Sequence, residues 1–233
     1  FSVFPLYWMI SAATNTSTDV SRGRIIPGSY FMENFKNLTS QQPLWRALGN
    51  SFFYAILTTV ICLLICSIAG YGFEVYHDKG KDRLFSILLL AMMVPQVATM
   101  VPLFKMFSKA KLLNTSIGFI LPIISTPFMI MMFRQNARAF PVDIIEAARI
   151  DGANQFQIYW KIFMPIMKPS LILVGVLNML TVWNDYLGPL IFLQDRSKYT
   201  LALGLASFKG VHSTQIIPML CITIIMIIPP III

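Results

Sequence analysis

The sequence predicts an all-α membrane protein of about six transmembrane helices. Three observations carry this. Only 12% of the 233 residues are charged and 56% are hydrophobic, whereas a soluble domain has about 25% charged residues. Four runs lack Asp, Glu, Lys, Arg and His altogether: Ser51–Phe73 (23 residues), Leu84–Phe104 (21), Ser116–Phe133 (18) and Ile216–Ile233 (18). Each is close to the roughly 20 apolar residues that cross a bilayer as a helix. Finally, one polar stretch punctuated by Pro and Gly, residues 134–168, separates two apolar runs.

The elements follow in order. Phe1–Ala13 is apolar but too short to span alone. It has no basic leading region and no small-residue cleavage pattern, so it reads as part of a first transmembrane helix rather than a signal peptide. Both ends read as trimmed, inside helix one and helix six. Residues 14–49 form a polar segment with a Pro27-Gly28 turn. Within it Gln42–Gly49 is expected to lie at the interface as a short helix anchored by Trp45. The core is 50–233, with connections at 74–83, 107–115, 134–169 and 193–215. Ser170–Phe192 supplies the fifth span, interrupted by Asp185. Pro95 and Pro102 are expected to kink their span and shape a cavity.

Other features read as packing. Cys62, Cys66 and Cys221 all sit in apolar runs, without metal spacing or a disulfide framework. The 14 Met residues serve as flexible filler. His77 and His212 are isolated in connections. Asn15-Thr-Ser and Asn37-Leu-Thr match the glycosylation pattern, which is short enough to recur by chance. There is no catalytic triad, metal cluster or G-x-x-x-x-G-K-[ST] loop, so no catalytic residue, metal site or P-loop ATP site is expected. Energy for any transport must come from a partner.

The polar stretch has its own local logic. Pro141 suits the first turn of a helix, where its missing N–H costs nothing. Asp143 in that turn favours the helix dipole. Ile144, Ile145 and Ala148 fall on one side of a helix over 142–150. Gly152 can adopt the left-handed conformation that ends a helix, and Asn154 can cap the next, over about Gln155–Phe163 until Pro165. Two short helices at an angle result. Ala147 and Ala148 would let a partner backbone approach, and Glu146 would offer a charge.

Glu146-Ala147-Ala148 is followed by three residues, Gly152, nine residues, Ile162, one residue, then Met164-Pro165. This resembles the EAA loop of ABC importer permeases. Met164 replaces the usual Leu, a volume-conserving swap. Asp151-Gly152-Ala153 and Gln155-Phe156 resemble the carbohydrate-importer version. Trp183-Asn184-Asp185-Tyr186-Leu187-Gly188-Pro189-Leu190 is similar to the Trp-Asn-Asp segment of the maltose-type group. Phe4-Pro5-Leu6-Tyr7-Trp8-Met9 is similar to the end of that group's first helix.

The resemblance implies a type I ABC importer permease fold in the cell membrane of a bacterium or archaeon. It assigns ATPase coupling to Glu146, Ala147, Ala148, Asp151, Gly152, Ile162 and Pro165. The implied partners are a second permease, two copies of a cytoplasmic ATPase that holds ATP and Mg, and an extracellular solute-binding protein that delivers a sugar. No nucleic acid is involved. The loop would be cytoplasmic and 14–49 extracytoplasmic. Lys/Arg bias does not choose this orientation: it places 8 of the 18 inside and 10 outside.

Polar residues within apolar runs are the candidates for a substrate path. Asn178, Thr181 and Asp185 are spaced i, i+3, i+7 and should share a helix face. Trp183 and Asn184 adjoin them, and Gln96 and Thr99 lie on the third span. Aromatic rings and short amides suit sugar recognition. Fastening of one helix to another explains the same residues, and both readings stand. A sugar or oligosaccharide is the leading reading and another solute (a polyol, a sugar phosphate or an acidic saccharide) the runner-up, the last because the outward cations face only Asp19, Glu33 and Asp195. A secondary transporter would need an ion-coupling site or a repeat, and a scaffold would not need the EAA register.

Overall fold

The computed structural model describes residues 3–41, 43–76, 78–208 and 216–232. The described residues form helices and turns without strands. His77, Lys209 and His212, Gln42 at the start of the expected interfacial helix, and Ile233 at the end of the last apolar run lie outside them.

The α-helices in order are α1 (Phe4–Ala13), α2 (Ser17–Ser21), α3 (Phe31–Gln41), α4 (Leu44–Val75), α5 (Lys79–Ala91), α6 (Gln96–Lys109), α7 (Ser116–Ile120) and α8 (Pro127–Ala137). They continue with α9 (Val142–Ile150), α10 (Gln155–Gln157), α11 (Met164–Ile166), α12 (Lys168–Asn184), α13 (Leu187–Phe192), α14 (Leu201–Ser207) and α15 (Ile216–Ile232). Among the described residues, α4 alone is long and apolar enough to cross a membrane as a single helix. Two bent pairs qualify jointly: α5 with α6, at 102°, and Gln155–Ile166 with α12, at 77°.

The apolar runs are therefore broken more often than their composition predicts. Leu84–Phe104 is two helices rather than one. Pro95 cannot donate a backbone bond and disfavours the helical region for the residue before it, and the chain turns over Met92–Pro95. Pro102, in contrast, is accommodated inside α6. Ser116–Phe133 splits as well, because Thr126 starts a new helix by accepting the Met129 N–H, with Pro127 in its first turn. Residues 44–49 correct a second expectation. They are not a separate interfacial helix but the first turns of α4, which runs 32 residues. Gly49 is the only weak helix former there, and one Gly costs about 1 kcal/mol without stopping a helix. Trp45 remains exposed, in edge contact with Phe35 of α3 at 6.2 Å.

The chain forms two compact units, 1–53 with 183–233, and 54–182. In the first, α15 packs against α1, α3 and α14. The Trp183 indole donates to the Met226 carbonyl at 3.0 Å. The Asn50 amide donates to the carbonyls of Ser197 and Tyr199.

The second unit has two apolar clusters. Cys62, Cys66, Met129, Ile130, Phe133 and Val174 join α4, α8 and α12. Gly70 makes this approach possible: a Cβ there would lie 2.5 Å from Phe133 Cβ and 2.9 Å from the Arg134 nitrogen. The other cluster joins Tyr71 on α4 to the polar stretch. Many apolar residues point outward. α5 buries none of its side chains, and Leu84, Ile87 and Leu90 are all more than half exposed. Such an outer surface suits lipid.

Candidate functional site

The stretch after α8 is a folded piece with an inner and an outer face. Pro141 stands at the N-cap of α9, one position before the first-turn site expected for it, with Asp143 in the first turn. Gly152 takes φ +81°. The Ala153 N–H reaches the Ala148 carbonyl at 2.9 Å and the Gly152 N–H reaches that of Arg149 at 3.1 Å. These are the paired bonds of a Schellman ending. Asn154 and Gln157 then form a reciprocal capping box, both bonds 2.9 Å long.

From Ile158 to Phe163 the helix widens to a π form. Pro165 brings no N–H to this turn, and the helix opens ahead of it. The sequence predicted a stop at Pro165, but helical structure continues to Ile166 and the bend falls at Met167. Widened turns of this kind occur often at functional sites.

The inner face is packed. Ile145, Ala148, Ile158, Tyr159, Phe163 and Met167 are buried with Tyr71, Ala137 and Phe140, and Ile162 lies against them half-buried. The Tyr71 ring meets those of Phe163 at 4.6 Å and Tyr159 at 5.4 Å. The hydroxyls of Tyr159 and Ser67 are 2.7 Å apart. The Tyr76 hydroxyl bonds to the Gln155 amide oxygen, and the Arg149 guanidinium lies over the same ring. The stretch is thus fastened to the end of α4 at several points.

The outer face carries Glu146, Ala147, Asp151, Gly152 and Pro165, all exposed. Ile150 is 87% and Phe156 72% exposed. Two expectations change here. Ala148 is buried within the chain's own cluster and is not available to a partner backbone. Ile144 parts from Ile145 and Ala148 and faces outward. Ile150 was the residue sequence reasoning missed. Its signal is a large apolar side chain beside the Gly turn, off the side that packs inward.

The polar residues of the apolar runs are dispersed. Asn178, 1% exposed, donates its amide to Thr59 Oγ1 on α4 at 3.1 Å, a helix-to-helix fastening. Thr181 is exposed, and its hydroxyl donates to the Leu177 carbonyl. Asp185 lies beyond the end of α12, so it does not share a helix face with them. Its carboxylate accepts the Gly188 N–H at 3.1 Å and so caps the turn into α13. Trp183 is buried against Phe52, and Asn184 is exposed at the last turn of α12. Gln96 and Thr99 are exposed in the first turn of α6, where the Thr99 hydroxyl donates to the Gln96 carbonyl.

The family described as binding-protein-dependent transport system inner membrane component matches residues 67–233. The chain is 36% identical over 214 residues to a lactose transport system permease protein of Rhizobium radiobacter, covering 92% of this chain and 78% of that protein. It is 37% identical to an arabinooligosaccharides transport system permease protein of Halalkalibacterium halodurans, covering 88% and 76%. Its fold superposes on a chain of a bacterial ABC transporter involved in import of the acidic polysaccharide alginate. There the TM-score is 0.88 at 22% identity, covering 99% of this chain and 88% of that one. With the loop's register and the helical architecture in place, these matches show that the chain belongs to the binding-protein-dependent inner membrane components, as a permease subunit of an ABC importer.

Proposed function

We propose that this subunit passes a sugar or oligosaccharide across the membrane by alternating access, driven through its EAA loop by a separate ATPase. The complex would hold a second permease, two ATPase copies with ATP and Mg, and an extracellular solute-binding protein. One observation carries the coupling role: the loop is packed on its inner face and presents Glu146, Ala147, Ile150, Asp151 and Phe156 on its outer face. A rigid piece with an exposed apolar and acidic face suits docking to a basic-rimmed groove. Of the remaining EAA positions, Ala148 and Ile162 pack inward behind that face, while Gly152 sets the turn and Pro165 lies exposed ahead of the bend.

The substrate class rests on relatives. Those named for lactose and arabinooligosaccharides are the more similar, while one named for sn-glycerol-3-phosphate is 27% identical over 241 residues. That relative keeps a sugar phosphate or other acidic solute as the second reading. Gln96, Thr99, Asn178, Thr181, Trp183, Asn184 and Asp185 are proposed for the substrate path, with Asn178 acting through the helix contact it makes. Asp185→Asn tests this. Asn caps a helix about as well as Asp, so yield of the complex should hold. The sugar concentration for half-maximal uptake should shift by roughly tenfold, the scale of one lost charge-assisted hydrogen bond. Unchanged uptake removes Asp185 from the path.

The loop is proposed to face the cytoplasm. In intact cells a Cys introduced at Gln155 should resist an impermeant thiol reagent, while one at Ser197 should react. External labelling at Gln155 would invert the orientation and uphold the charge tally.

A further inference from the structure

Arg134, on α8 one turn ahead of the loop, is only 7% exposed. Its Nε lies 3.2 Å from a carboxylate oxygen of Glu74, at the end of α4, and its Nη2 lies 3.2 Å from Asp82, in the first turn of α5. The guanidinium sits 4.0 Å above the Phe85 ring. Arg138, one turn on, reaches the same Glu74 at 3.7 Å. One side chain therefore closes three helix ends beside the loop. A planar fork does this where a Lys point charge would meet one acid at a time. The two arms differ: the Glu74 side chain is 17% exposed and that of Asp82 57%. The arm to α4 is enclosed and the arm to α5 is wet.

We propose that Arg134 is a positioning residue for coupling. It makes the base of the loop, the end of α4 and the start of α5 one lever, so that displacement of the loop reaches both helices. Buried ion pairs add little net stability against apolar packing of the same shape, so fixed geometry is the more economical reason for this one. The proposal rests on the docking role proposed above for the EAA loop.

The test places nitroxide labels at Lys161→Cys and Ile87→Cys, both exposed. Cys62, Cys66 and Cys221 are buried, so labelling goes to the introduced sites. Distances are read by double electron resonance in the assembled importer, without nucleotide and with MgATP plus vanadate. With Arg134 intact, one narrow distribution should persist in both states. Arg134→Met should broaden it at least twofold and let it differ between states. If Arg134→Met does not fold, Asp82→Asn removes only the wet arm and should give the same broadening. An unchanged narrow distribution in either folded variant overturns the proposal. ATPase that fails to copurify with the unsubstituted permease would instead sink the docking reading, and the distance distribution in the permease alone still decides the lever.

Discussion

Gly152→Val should leave the permease in the membrane and abolish most of its transport. The residue sits at φ +81°, and a Cβ there would meet nothing within 4 Å. The penalty is therefore conformational rather than steric with respect to neighbours. A β-branched residue in the left-handed region pays on the order of 1–3 kcal/mol. The loop avoids that by giving up the Schellman ending, which separates α9 from the capping box at Asn154. The inner cluster still anchors Ile158 to Met167, so insertion should survive. The outer face, assembled from both sides of the turn, should not. Uptake and binding-protein-stimulated ATP hydrolysis should both fall by roughly a hundredfold if about 3 kcal/mol of docking is lost. Gly152→Asn, whose side chain tolerates that conformation, should stay near wild type. Full uptake by Gly152→Val, with the ATPase still bound, would remove the loop from the coupling path.

Gly70→Val should fail at an earlier stage. Its Cβ would lie 2.5 Å from Phe133 Cβ and 2.9 Å from a backbone nitrogen. No rotamer relieves a backbone clash, so α4 and α8 must separate, and overpacking of this kind costs about 1–3 kcal/mol or more. The separation would also pull Arg134 from Glu74. The yield of monodisperse permease should drop severalfold and its melting temperature should fall. Gly72→Val is the control: it lies two residues along the same helix with nothing within 4 Å of its Cβ. Equal loss in both variants would mean that the damage is to α4 itself and not to its contact with α8.

The loop was the most legible part of the chain, because its signals are local. A Pro ahead of Asp143, the left-handed Gly152 and the Asn154 cap each specify backbone geometry within a few residues, and all three appear within one position of expectation. The transmembrane runs were legible as apolar but not as continuous. Charge-free composition reports the surroundings of a helix and is silent on breaks, which here depend on Pro95, Thr126 and Asp185. The apolar outer side of the loop was hidden because an exposed Ile150 and a buried Ile145 look alike until α4 supplies the surface that buries one of them. The Arg134 network was invisible for a similar reason. Its members are 52 and 60 residues apart in sequence, and nothing in a single sequence says that they meet.

The two-faced construction of the loop separates two kinds of evolutionary pressure. Side chains such as Ile145, Phe163 and Tyr71 answer to the permease's own fold, whereas Ile150 and Phe156 touch little of it. If that face docks to an ATPase as proposed, drift at such outward side chains would be little constrained by folding and would be judged by the partner. A lineage could exchange one ATPase for another by rewriting a few outward positions, leaving the membrane domain and its solute preference as inherited. On that reading, solute preference and the choice of energy-supplying partner would be separately heritable within one polypeptide.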